Sequence, residues 1–145
     1  NYFSIVEADQ TAGWKTYTNS EYGFEIGFPE SWKYSVVKSS WEGYLIENYD
    51  IKYSGVLLVF KNLELASKQR FGGIPIMVIA PDIWYMMSGP NSTIAVSAAP
   101  IGPSKIGQNN KFIFATPPRY IGFGDDLNNQ QINEIYEIVK TFKAF

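Results

Sequence analysis

The stretch YTNSEYGFEIGFPESWKY, residues 17–34, decides how the chain is read. Tyr22, Phe24, Ile26 and Phe28 fall on one face of an extended segment, and Gly23, Glu25 and Gly27 on the other. A period of two is the mark of a half-buried strand. Turn residues precede it in TNSEYG. Pro29 cannot donate to a ladder and closes it, and PESW reads as a turn. Aromatics at strand spacing on one side are expected to face a core rather than a ligand.

The rest of the chain continues the pattern. WKYSVVK (32–38) reads as the next strand, whereas GYLIENYDIKY (43–53) fits either a strand or an irregular bridge. VLLVFKN (56–62) and IPIMVIA (74–80) are apolar runs of strand length, joined by a polar turn and the tight turn FGG (71–73). PDIWYMMSGP (81–90) opens like a short helix with Pro in its first turn. STIAVSAAP (92–100) reads as a strand, IGPSKIGQNN (101–110) as a loop, and KFIFATP (111–117) as a strand with Phe112 and Phe114 on one face. PPRYIGFGDD (117–126) is a loop stiffened by proline. The C-terminal helix is the plainest element. Asn128 with Gln131 makes a capping box, and Ile132, Ile135, Tyr136, Val139 and Phe142 recur at helical spacing. Short connections favour antiparallel neighbours. The expected class is α+β: a central antiparallel sheet flanked by helices, with the C-terminal helix packed on one face. Residues 1–13 are a lead-in and 14–145 a single domain.

Composition narrows the chemistry. At 145 residues the chain can bury a substantial core. Aromatics at 17% favour sheet. The net charge is −2, and Arg70 and Arg119 are the two arginines. There is no basic run, so nucleic acid is not an expected partner. The Lys68-Gln-Arg70 cluster reads as a solvated turn. Without Cys or His the chain has no thiol nucleophile, no imidazole base and no Ser-His-Asp triad. No apolar run reaches the roughly 20 residues of a membrane span. The opening NYFSIVEADQTAG is no signal peptide and lacks an initiating Met, so a mature or trimmed fragment of a longer precursor is expected.

Geometry decides between the readings of several constellations. Ser35-Val-Val-Lys38 matches S-x-x-K, which needs a helix to bring Ser and Lys together; a strand sends them to opposite faces. Asp125-Asp126 could hold a cation or serve a hydrolase, but reads as chemistry of a helix N-terminus. Gly122-Phe-Gly124 lacks the third glycine of a dinucleotide loop. Asn91-Ser-Thr93 matches a glycosylation acceptor. Trp84, Tyr85, Met86 and Met87 crowd a short element that cannot turn all of them inward, and are residue types enriched at interfaces. Arg119 and Tyr120 sit in the stiff proline loop, with Asp125 or Asp126 as the expected partner of the arginine.

The stretch WKTYTNSEYGFEIGFPESWKY (14–34), with a helix ending in VKTFKAF (139–145), resembles the PsbP-like family. That family includes the extrinsic P protein of the oxygen-evolving photosystem and many exported bacterial domains, often lipoproteins. The likeness runs through Tyr17, the strand ending in Phe28-Pro29, Trp32 and Phe142, and covers about the first fifth and last seventh of the chain. It implies a central antiparallel sheet flanked by helices, no cofactor, and an extracytoplasmic role in binding or assembly at the cell envelope, with a lipid anchor upstream. The expected function is therefore non-enzymatic binding of a protein partner, with Trp84, Tyr85, Met86, Met87, Arg119 and Tyr120 as the candidate surface. The alternative is a small-ligand or carbohydrate-binding domain that stacks its ligand on Trp84, Tyr85 and Trp41.

Overall fold

A computed structural model of the chain describes residues 13–88, 92–97, 102–122 and 125–145. The expected lead-in falls almost wholly outside them. The described strands are β1 (Lys15–Asn19), β2 (Phe24–Phe28), β3 (Ser35–Leu45), β4 (Ile51–Lys61), β5 (Gly73–Ile79), β6 (Ile94–Ala95), β7 (Ser104–Gln108), β8 (Ile113–Thr116) and β9 (Lys143–Ala144). Two helices accompany them, α1 (Pro81–Met87) and α2 (Asn129–Lys140). The strands form two antiparallel sheets, ordered β1-β2-β9 and β6-β3-β4-β5-β8-β7, one of them curled into a half-barrel.

This corrects the expected α+β class. Strands hold 42% of the described residues and helices 15%, too little helix to flank a central sheet. The physical reason lies in segments whose patterns are not strand-like. Residues 43–53 are the closing end of one long β3–β4 hairpin, with a bulge at Gly43/Tyr44. The expected loop at 101–110 contains β7, an edge strand that owes its state to pairing with β8. The tail after α2 adds β9 to β2. Conversely, the strand expected over 92–100 shrinks to Ile94–Ala95 among the described residues.

The opening stretch behaves as its alternation requires. Phe24, Ile26 and Phe28 are buried in β2. Gly23, at φ +87°, turns the β1–β2 hairpin; its N–H donates to the Asn19 carbonyl. A Cβ there would meet Asn109 Nδ2 at 2.7 Å and the Phe145 carbonyl at 2.9 Å. Tyr17 meets Phe60 edge-on at 5.1 Å, Phe28 stacks on Tyr34 at 4.1 Å, and Phe24 stacks on Phe142 at 5.1 Å. Such tilted and offset ring pairs add to the burial itself.

The runs in β4 and β5 are continuous because both faces of the larger sheet are covered. Leu58, Phe60, Ile74, Ile76, Val78 and Phe114 join the smaller sheet in a first core. Leu57, Val59, Met77, Ile79 and Ala115 point the other way into a second core with Trp41, Met87 and Ile94. Helix α2 starts with the expected capping box: Asn128 Oδ1 accepts from the Gln131 N–H, and Gln131 Oε1 from the Asn128 N–H. Its Ile135 and Ile138 enter the first core. The helix ends on Thr141, whose hydroxyl donates to the Ile138 carbonyl at 2.6 Å and accepts the Gly27 N–H at 2.7 Å. One hydroxyl thus closes the helix and stands in for a strand partner of β2.

Candidate functional site

The second face of the larger sheet holds a pocket, and Trp41 begins it. Trp41 lies opposite Gly55 across the β3–β4 hairpin. A Cβ on Gly55 would come within 2.6 Å of the indole, so only glycine lets the ring lie flat over β4. The pairing of β4 with β5 stops at Leu57 and Met77. Just beyond it, the indole N–H donates to the Val78 carbonyl at 3.1 Å, which fixes the ring.

Beside this ring a pocket of about 360 Å³ opens. Its apolar walls are Trp41, Leu57, Met77, Phe71 and Val96, closed on one side by Pro117 and Pro118. Ile51 and Tyr44 bring it to the β3–β4 turn, and Ser40, Glu42, Ser97 and Arg70 supply the polar groups. The Arg70 guanidinium sits 4.9 Å from the centre of the Phe71 ring. Apolar walls with a few polar groups and this volume fall at the small end of ligand sites.

The residues singled out by sequence are not gathered in one place. Met87 is 3% exposed, and Trp84 and Met86 pack against the second core, so three of the four support the sheet. Tyr85 alone turns out, at 74% exposure. Arg119 is exposed in a left-handed backbone position (φ +55°), and Tyr120 packs on the first core, away from α1. Burial pushes the Tyr120 phenol up to about 12. The aromatic trio Trp84, Tyr85 and Trp41 is divided likewise: Trp41 forms a pocket wall, Trp84 supports it, and Tyr85 faces solvent.

The remaining motifs are accounted for locally. Lys38 lies on a strand with Ser35 and reaches Glu21 at 3.8 Å and the Tyr22 ring at 5.5 Å. Asp125 Oδ2 accepts the Gly122 N–H at 2.8 Å, and among the described residues no ion pair joins Arg119 to Asp125 or Asp126. Asn91, Phe123 and Gly124 lie outside the described residues.

Sequence reading missed Arg70 and Phe71, and with them the polar end of the pocket. The available signal was an arginine next to an aromatic just before a buried strand; the pairing of Trp41 with Gly55 had no local signal at all. Of the other clefts, one of about 390 Å³ lies between the β1–β2 and β7–β8 turns, and a more polar one of about 300 Å³ lies between Trp32, Asn62, Glu64 and Glu134 at the start of α2. Burial and then the charge of Glu64 raise the Glu134 carboxyl above its ordinary value. Two of its other polar groups, Asn128 and Gln131, are already committed to the capping box.

The architecture defines a two-sheet β domain with one covered and one pocketed face. No family model matches the chain, and neither curated proteins nor solved structures give a match. No helix among the described residues is long and apolar enough to cross a membrane.

Proposed function

We propose that this chain is a non-catalytic binding domain that takes a small, largely apolar ligand in the pocket beside Trp41. One observation carries the reading: a concave, ligand-sized space is walled by Trp41, Leu57, Phe71, Met77 and Val96 on a face that, among the described residues, α1 and β6 cover only in part. An aromatic and aliphatic lining favours apolar bodies because their transfer from water releases roughly 25 cal/mol per Å² buried. The residues behind the PsbP-like resemblance stand apart from it; Tyr17, Phe28, Trp32 and Phe142 belong to the first core.

The test is a titration with the neutral fluorescent probe N-phenyl-1-naphthylamine. Saturable one-to-one binding is expected, and Val96→Trp, which fills the half-buried rim, abolishes it. Absence of saturable binding to the native chain, or binding indifferent to Val96→Trp, overturns the reading.

A protein partner, as the PsbP-like resemblance implies for an extracytoplasmic domain at the cell envelope, is the second reading. The observation favouring it is an exposed apolar turn between β3 and β4, with Ile46, Tyr49 and Ile51 all open to solvent. Loss of a partner from the envelope fraction on Ile46→Ser with Tyr49→Ser, but not on Val96→Trp, would select it.

A further inference from the structure

We infer that the ligand of this pocket is an amphipathic anion, with an apolar body against Trp41, Leu57 and Met77 and a carboxylate, sulfonate or phosphate group on Arg70. The inference rests on the small-ligand reading above and adds the charge.

Arg70 and Phe71 both line the pocket, and the guanidinium carbon lies over the Phe71 ring, 4.9 Å from its centre. Stacking on an aromatic face holds the guanidinium plane while leaving its in-plane N–H donors free. Those donors have no carboxylate partner among the described residues, where the ion pairs are Lys38 with Glu21 and Lys140 with Glu137. A planar fork of donors matches an oxyanion, which it can grip through two parallel hydrogen bonds. The acid in the wall, Glu42, is on β3, whereas Arg70 leads into β5, with β4 between them. Glu42 disfavours an anion at its own end of the pocket, so it orients the ligand, acid group towards Arg70 and apolar body along the sheet. Arg70 is exposed, so beside a neutral apolar ligand its donors stay with water, and only an anion gains from them.

Two probes with similar aromatic bodies separate charge from apolar fit: 8-anilinonaphthalene-1-sulfonate, an anion, and N-phenyl-1-naphthylamine, which is neutral. Each is titrated against the native chain, Arg70→Met, Arg70→Lys and Val96→Trp, with near-ultraviolet circular dichroism to show that each variant keeps its packing. Arg70→Met is expected to weaken the sulfonate at least about tenfold, the loss of a charge-assisted hydrogen bond, and to leave the neutral probe within about twofold. Arg70→Lys recovers part of the loss, because it restores charge without the fork. Val96→Trp removes both probes. If Arg70→Met changes the two probes alike, or changes neither, the anion inference is wrong and the pocket still stands. If neither probe binds the native chain, the small-ligand reading itself fails, and the inference with it.

Discussion

The two faces of the larger sheet differ in what covers them. On one, the three-stranded sheet and the twelve-residue α2 meet Phe60, Ile74, Ile76 and Phe114 in a continuous aromatic core. On the other, cover among the described residues comes from α1, seven residues long, and β6, two residues long. A helix of seven residues spans about 10 Å, less than a broad sheet needs. Leu57, Val59, Met77 and Ile79 make this face apolar, yet among the described residues a pocket stays open beside Trp41. The first face supplies stability by closure; the second keeps enough space for a ligand.

Phe24 is fully buried on the closed side, between Phe114 and Phe142. Phe24→Ala is expected to cost about 3–5 kcal/mol, read as a lowered midpoint in urea. Gly55→Ala strikes the other face. The new methyl meets the indole body of Trp41, which is held by its bond to Val78, so the ring must move. A cost of about 1–3 kcal/mol is expected, with a changed tryptophan emission and weaker probe binding in the same sample.

Tyr120 gives the closed face a pH signature. Its phenol is raised to about 12 by burial, with a lesser contribution from Tyr136. Unfolded chains lose that proton near pH 10 and the folded chain only later, so the native state holds more protons in between. The associated stability is complete below pH 10 and lost as pH rises towards 12. Allowing for partial exposure, the loss amounts to about 1–2 kcal/mol, and Tyr120→Phe should flatten this part of the alkaline stability curve. Thr141→Val removes the hydroxyl shared by Gly27 and the α2 terminus, costing roughly 1–3 kcal/mol by denaturation. Smallest of all, Tyr85→Ser should leave stability within about 0.5 kcal/mol, because its ring already faces water.

Local pattern revealed the closed face far better than the open one. The alternation of Phe24, Ile26 and Phe28, the runs in β4 and β5, and the Asn128–Gln131 box each act through neighbours in sequence, and each appears in the structure. Proline in the first turn of α1 also behaves as expected. Strands β7 and β9 were illegible because edge strands take their conformation from the strand beside them; nothing in SKIGQ or KTFKAF alternates strongly. The pocket was illegible for a related reason. It joins Trp41, Phe71, Met77, Val96 and Pro117, which only the folded sheet brings together. Crowding of Trp84 to Met87 was real, but packing on the second core consumed all of it except Tyr85.

Methyl-resolved NMR during a titration with N-phenyl-1-naphthylamine tests the contrast between the faces most directly. Saturable shifts confined to the methyls of Ile51, Leu57, Met77 and Val96, with Ile26, Ile74, Ile76 and Ile138 unmoved, are the expected result. Shifts spread evenly over both sets, or no saturable shift in either, would contradict a closed face backed by an open one.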